Sequence, residues 1–421
     1  MKKIIKRITT GLLLTLALVQ FVSCGYEPVF YGIMHDVLPE EATVTGNIPS
    51  IARCNVSGTE YLFLSNGGSL MYKPLDSNKH GAWTNSKIKL PFKTHHYNYF
   101  ATGSEGEGHK GQQILRVLSD ASNIYLLTTS FKQDDEYGIV NPDTIYLWTC
   151  QLSTIFTGGT WTNIAANNSD KFNMHQEVST SQTVFDFYLF SSNTPKNANR
   201  KAYLASTKGE IKYYKLKGSS GLEEITIDSD IKKVNSESTR IHSSFFLNGH
   251  EYFSDSLVVA TNETEAEADE ATVVCLAGVT TNGYSTKKLY KLTDASEEPA
   301  AFIDMSSPVA SMAFTGDSLL IGKGSYASVA TDDGGIARIL LKDDNGKKVP
   351  DSKTSGFDNN AKYQFTSSYI LMTLLCADPS KSEAEASLYT TTSYRGSNGS
   401  ASFRDIGLWS YYPSRGNWNR E

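Results

Sequence analysis

Apolar and aromatic runs of roughly four to eight residues alternate with clusters of Gly, Asn, Asp and Ser along most of the chain, the spacing of strands and turns. Clear runs are Glu60 to Ser65, Ile124 to Thr129, Thr144 to Thr149, Val184 to Phe190 and Ser256 to Ala260. Helical periodicity is absent from these runs. The stretch Glu263 to Ala271 has helix-forming residues, but its Glu, Ala and Asp provide no apolar face, so it reads as a solvated loop. The pattern predicts an all-β protein.

A recurring unit narrows the architecture. An aromatic strand is followed by a glycine two residues before a tryptophan: Ser69 to Tyr72 with Gly81 and Trp83, Thr144 to Trp148 with Gly159 and Trp161, and Gly407 to Tyr411 with Gly416 and Trp418. Weaker echoes lack the tryptophan, at Glu210 to Leu216 and Lys288 to Leu292. Repetition of this kind marks propellers and solenoids, and a propeller protects edges that one open sheet of many strands would expose. The separation of Trp83 from Trp161 exceeds the ~40 to 50 residues of compact propeller blades, so the units carry long loops. About six blades fit, at 46–100, 101–166, 167–230, 236–305, 306–355 and 356–421. Two β-sandwich domains are the alternative, since their turns recur at similar intervals.

The first residues have a different pattern. Lys2, Lys3, Lys6 and Arg7 precede an apolar stretch from Gly11 to Val22, followed by Ser23 and Cys24. The stretch is shorter than the roughly 20 apolar residues that cross a bilayer, and it has the layout of a cleaved signal. The run Leu18 to Cys24 resembles the lipobox of bacterial lipoproteins, with Phe21 where leucine is usual, as in the relaxed boxes of spirochaete lipoproteins. That resemblance implies cleavage before Cys24, a diacylglyceryl thioether on its sulfur and acylation of the new amine. The expected divisions are a lipoprotein signal peptide at 1–23, a lipidated tether at 24–45 and the propeller-like domain at 46–421. Several acyl chains anchor stably where one does so only marginally. Tyr26 stands where aspartate retains lipoproteins in the inner membrane of some bacteria, which favours the outer membrane, on its periplasmic face or at the surface.

Charge removes other classes. The chain carries −6, and without the four signal cations the remainder is −10. An acidic body with no basic stripe does not suit nucleic acid, which needs clustered Lys and Arg to displace counterions. Nor does it bind anionic lipid through its own surface, leaving membrane attachment to Cys24. Cys54, Cys150, Cys275 and Cys376 are widely spaced, form no CxxC pair and sit beside apolar runs. They read as buried thiols acting as small hydrophobes, with disulfides the alternative in an oxidising compartment.

No cluster satisfies the requirements of a catalytic or metal site. His95 and His96, with Tyr97, Tyr99, the glycines from Gly103 to Gly108 and His109, concentrate ligand types. Adjacent histidines on a strand point to opposite faces, however, and no zinc spacing or phosphate loop is present. Asp134 to Glu136, Asp332 with Asp333, and Asp343 with Asp344 read as solvated turns. Ala330 to Gly335 resembles part of the aspartate box of sialidase-like propellers, with Ile336 and Ala337 where the motif has Thr and an aromatic residue. Phe403 to Ile406 is similar to a sialidase signature without its proline. No carboxylate pair flanks an identifiable substrate position, as glycoside hydrolysis requires, and there is no nucleophile elbow or zinc helix. The 23 tyrosines suit a binding surface and equally suit ordinary strands.

The sequence therefore predicts an envelope lipoprotein that binds or scaffolds an envelope or host protein, without catalysis, cofactor or metal. The alternatives are a glycan-acting enzyme of sialidase-like fold and a surface adhesin or antigen.

Overall fold

The computed structural model describes residues 44, 48, 50–66, 68–75, 83–94, 111–133, 140–176, 183–193, 200–206, 212–225, 245–247, 250–252, 257–261, 273–278, 288–292, 301–304, 309–316, 318–323, 335–340, 355–356, 369–378, 380–394 and 407–421. The chain divides into two units at 1–42 and 43–421, and the described residues all lie in the second. They form strands joined by turns and one-turn 3₁₀ segments, so the protein is all-β.

Sheet I contains β1 (Ile51–Val56), β2 (Thr59–Ser65) and β3 (Leu70–Pro74), with Thr84 bridging Tyr72 at the outer edge. Sheet II contains β4 (Gln112–Ser119), β5 (Asn123–Gln133), β6 (Val140–Gln151) and β7 (Thr162–Asn163). The next strands, β8 (Met174–Gln176) and β9 (Thr183–Phe185), belong to a small separate sheet. Sheet III is β10 (Phe187–Asn193), β11 (Ala202–Ser206), β12 (Lys212–Leu216) and β13 (Leu222–Ile225). The small sheet is completed by β14 (Phe245–Leu247) and β15 (His250–Tyr252). Sheet IV is β16 (Leu257–Thr261), β17 (Val273–Gly278), β18 (Lys288–Leu292) and β19 (Ala301–Asp304). Sheet V is β20 (Val309–Phe314), β21 (Ser318–Lys323), β22 (Gly335–Leu340) and β23 (Ser355–Gly356). Sheet VI is β24 (Tyr369–Cys376), β25 (Leu388–Tyr394), β26 (Gly407–Tyr412) and β27 (Asn417–Arg420).

Sheets I to VI are antiparallel meanders. Sheets III and IV are additionally joined by parallel pairing of β10 with β16. The run from Val184 to Phe190 is not one strand. It breaks at Asp186, whose N–H donates to Asn173 O and whose carboxylate lies 2.8 Å from His175 Nδ1, so β9 pairs with β8 while β10 pairs with β11.

Strand alternation sends side chains of one sheet into two different cores. From sheet I, Ala52, Cys54, Val56 and Phe63 pack with Val117, Ile124 and Leu126 of sheet II. On the other face, Leu62, Leu64 and Trp83 pack with Tyr389, Leu408 and Tyr412 of sheet VI. Tyr125, Leu127 and Leu147 join sheet II to Phe187, Leu204 and Tyr214 of sheet III. Ala313, Leu320 and Ile336 join sheet V to Leu374, Leu388 and Trp418 of sheet VI. Sheet I thus has neighbours on both faces, one of them the last sheet of the chain.

The tryptophan repeat has a structural counterpart. Trp83 and Trp161 each stand one residue before an outer-edge pairing, Thr84 with Tyr72 and Thr162 with Thr149, and Trp418 pairs with Tyr411 within β27. Each packs against a neighbouring sheet: Trp83 against VI, Trp161 against I, and Trp418 against V. The hydrogen bonds are individual: Trp83 Nε1 donates to Glu421 and Trp161 Nε1 to Lys89 O.

Candidate functional site

Cys24 and the segment around it lie outside the described residues, as do the histidine and glycine group from His95 to His109, the acidic pairs at 134–136, 332–333 and 343–344, and Phe403 to Ile406. The side chain of Cys275 is likewise outside them, although its backbone sits in β17. Cys54, Cys150 and Cys376 are described, and all three are buried thiols outside any disulfide. Burial pushes the Cys54 thiol up to about 12, with nearby Arg200 only partly opposing it. Burial raises Cys150 as well. Cys54 and Cys150 are thereby held protonated and behave as apolar groups. Among the described residues no group of three or more His, Cys, Asp or Glu is arranged to hold a metal ion.

Two charged clusters that pattern reading did not find lie between sheets. In the first, Lys73 at the end of sheet I and Glu421 after β27 are both fully buried, with Nζ 2.9 Å from the carboxylate. Tyr412 Oη and Trp83 Nε1 donate to the same carboxylate at 2.7 and 2.8 Å, and the ammonium lies over the rings of Trp83, Tyr389 and Tyr412. Burial acts to raise Glu421, but Lys73, Ser410 and Tyr412 outweigh it and hold the carboxyl below its ordinary range. Burial lowers Lys73 against the pull of Glu421.

The second cluster sits where turns of several sheets meet. Arg53 Nε donates to Glu60 Oε2 at 2.8 Å, Arg200 Nη1 donates to Arg53 O at 2.8 Å, and Ser119 Oγ donates to the same carbonyl. Arg53 also lies 3.7 Å from Asp378 in sheet VI's first turn. Burial would raise Glu60, yet the Asn55 amide, Arg53 and Arg200 hold it below its ordinary value. The local turns share a device: the side chains of Asn55, Asp120 and Thr315 each accept from the N–H three residues on, at Gly58, Asn123 and Ser318. This closes the first hairpin of sheets I, II and V. Asp120 also accepts from Tyr125 Oη, which in turn accepts from Gly218 N–H and ties sheet II to sheet III.

Two cavities open at this level of the structure. One, of about 610 Å³, lies between sheets I and VI beside Glu60, Asp378, Lys381 and Glu385. The other, of about 430 Å³, spans the end of β6 and the turn after β12 of sheet III, and its wall holds Thr149, Thr154, Thr157, Thr160 and Thr162.

No family model matches the chain, and no curated protein sequence matches it. Among solved structures it is similar to AofleA from Arthrobotrys oligospora, at 12% identity and a TM-score of 0.40, over 90% of this chain and 86% of that one. It is also similar to the C-terminal domain of gp131 from bacteriophage phiKZ, at 9% identity and a TM-score of 0.33, over 90% and 95%. At those scores neither likeness carries an argument about fold or function.

Proposed function

We propose that this chain is an envelope lipoprotein held in the outer membrane by lipid on Cys24, whose body is a six-bladed β-propeller acting as a protein-binding or scaffolding module without catalysis. The observation that carries the propeller reading is the seam between the last sheet and the first, centred on Lys73 and Glu421. Packing sheet I between II and VI supports a radial order, since paired sandwiches would give each sheet one buried face. The binding reading draws on how the buried charges are used. Lys73 pairs with Glu421 and Arg200 with Glu60 across sheets, and Arg53 pairs with Glu60 within sheet I, an arrangement that suits a rigid platform presenting turns and long loops.

Two experiments test the proposal. Wild-type protein expressed in an envelope-bearing bacterium should fractionate with membranes and incorporate radiolabelled palmitate, and Cys24→Ala should lose both. Retention of label by the variant would remove the anchor reading. Affinity capture of the lipidated protein from gently solubilised envelopes should return the same partner across repeats. Hydrolysis of a glycoside, lost on replacing Glu60 or Asp378, would replace the binding reading with the enzymatic one. Protease shaving of intact cells separates a surface adhesin, which would be cut, from a periplasmic scaffold.

A further inference from the structure

We infer that the threonine-lined cavity of sheet II is a binding site for a small, neutral, hydroxyl-rich ligand, a mono- or disaccharide in chemical class. The inference goes beyond the scaffolding role and stands independently of it. The cavity's volume of about 430 Å³ lies within the range of small-molecule sites. Its five threonines are joined by Asn123, Gln151 and Ser219, all groups that donate and accept hydrogen bonds without charge. The remaining thiol, that of Cys150, is kept neutral by burial. A charged ligand would find no counter-ion among the lining side chains, and an apolar one would strand the hydroxyls from water. A polyol satisfies both conditions because each of its hydroxyls donates and accepts.

The surrounding wall is fixed by its own contacts. Thr154 O accepts from the N–H groups of Thr157 and Gly159, and Thr154 Oγ1 donates to Gln151 O. Gly158 adopts φ +88°, and a Cβ on Gly159 would stand 2.6 Å from both Cys150 Sγ and Thr154 Oγ1, so the loop closes tightly over β6 because these two positions are glycine.

The test uses the full chain in detergent and ligand-observed saturation-transfer NMR with maltose, lactose and N-acetylglucosamine, with glucuronate as the charged control. At least one neutral sugar should bind, and glucuronate should bind more weakly. Thr162→Val, at a half-buried threonine of the lining, should weaken binding roughly fivefold, the loss of one hydrogen bond, while leaving the unfolding midpoint unchanged or higher. A purely structural hydroxyl would not separate those two readouts. Thr160 is exposed at the rim, so Thr160→Tyr should block the site without disturbing the core. Binding of none of the three sugars, equal binding of glucuronate, or undiminished binding by both variants would overturn the assignment. None of these outcomes would bear on partner capture from envelopes, so the two readings fail separately.

Discussion

The two faces of sheet I are buried by different means. Toward sheet II the seam is apolar, with Cys54, Phe63, Ile124 and Leu126 interdigitating, and the edge-on and stacked rings of Tyr61, Phe63, Tyr72 and Phe156 packed around them. Toward sheet VI the seam encloses a fully buried ion pair whose partners are 348 residues apart. Sheets I and II are consecutive in sequence, joined through residues 75–111, and apolar surface forms most of their contact. Sheets I and VI meet from opposite ends of the described chain, and a directional pair restricts which edge of VI docks and at what height. Buried polar pairs contribute little net stability but penalise every arrangement that leaves one member alone.

The comparison breaks most visibly at Glu421. Glu421→Ala leaves the Lys73 ammonium buried without a counter-ion and removes the acceptor of Trp83 and Tyr412, so urea denaturation should show a loss of about 3–5 kcal/mol. Glu421→Gln preserves an acceptor for those two donors and should lose less. If both variants unfold with the wild type, the pair does not hold the seam. On the other face, Leu126→Ala removes apolar packing alone and should cost about 2–5 kcal/mol. The two losses are separable by their pH dependence.

Glu421 and Glu60 are both held below the ordinary carboxylate value by partners that favour the charged form. The unfolded chain therefore binds protons more readily than the folded one at acid pH. The stability these groups contribute is fully present above about pH 4.5 and declines as pH falls through their folded values, with a slope of up to ~1.4 kcal/mol per pH unit for each proton taken up on unfolding. Chemical denaturation between pH 6 and 3 should show wild type and Leu126→Ala declining in parallel, while Glu421→Gln declines less. Parallel decline of all three would mean Glu421 titrates alike in both states.

These features differ in how far sequence alone reveals them. Strands are legible because aromatic and β-branched runs recur between turn residues, and the Gly-x-Trp unit falls at three outer-edge pairings. The hairpin turns are not legible as a repeat, since Asn55, Asp120 and Thr315 do the same job with three different side chains. Lys73 and Glu421 carry no local signal at all. Each is an ordinary polar residue at a strand end, and only the meeting of sheets I and VI makes them partners. The break at Asp186 was hidden for a related reason, as its cause is a distant contact with Asn173 and His175.

A smaller effect tests the seam between sheets V and VI, which has a part-buried ion pair, Arg338 with Glu383 at 2.8 Å, and a close backbone approach. Gly316 N–H donates to Lys381 O at 2.6 Å, and a Cβ on Gly316 would stand 2.9 Å from Ser380 O and 3.1 Å from Lys381 O. Because those neighbours are backbone, they cannot rotate away, and Gly316→Ala should cost about 1–3 kcal/mol. An unchanged midpoint would mean the two turns separate freely in solution.

The three repeated tryptophans grade the comparison most finely. Trp418 and Trp83 are 1% and 6% exposed, whereas Trp161 is only partly buried and makes one backbone hydrogen bond, to Lys89 O at 2.9 Å. Trp161→Phe keeps a ring over the seam with sheet I and gives up that bond, for an expected loss of about 0.5–1.5 kcal/mol. Trp83→Phe takes a donor from a buried carboxylate, a charge-assisted bond, and should lose about 1.5–3 kcal/mol. Denaturation of the two variants side by side measures whether a shared sequence unit has a shared energetic weight. The difference should favour Trp83, because the unit places the ring but the seam behind it sets the worth of its N–H. Equal losses would show that ring burial alone decides the effect.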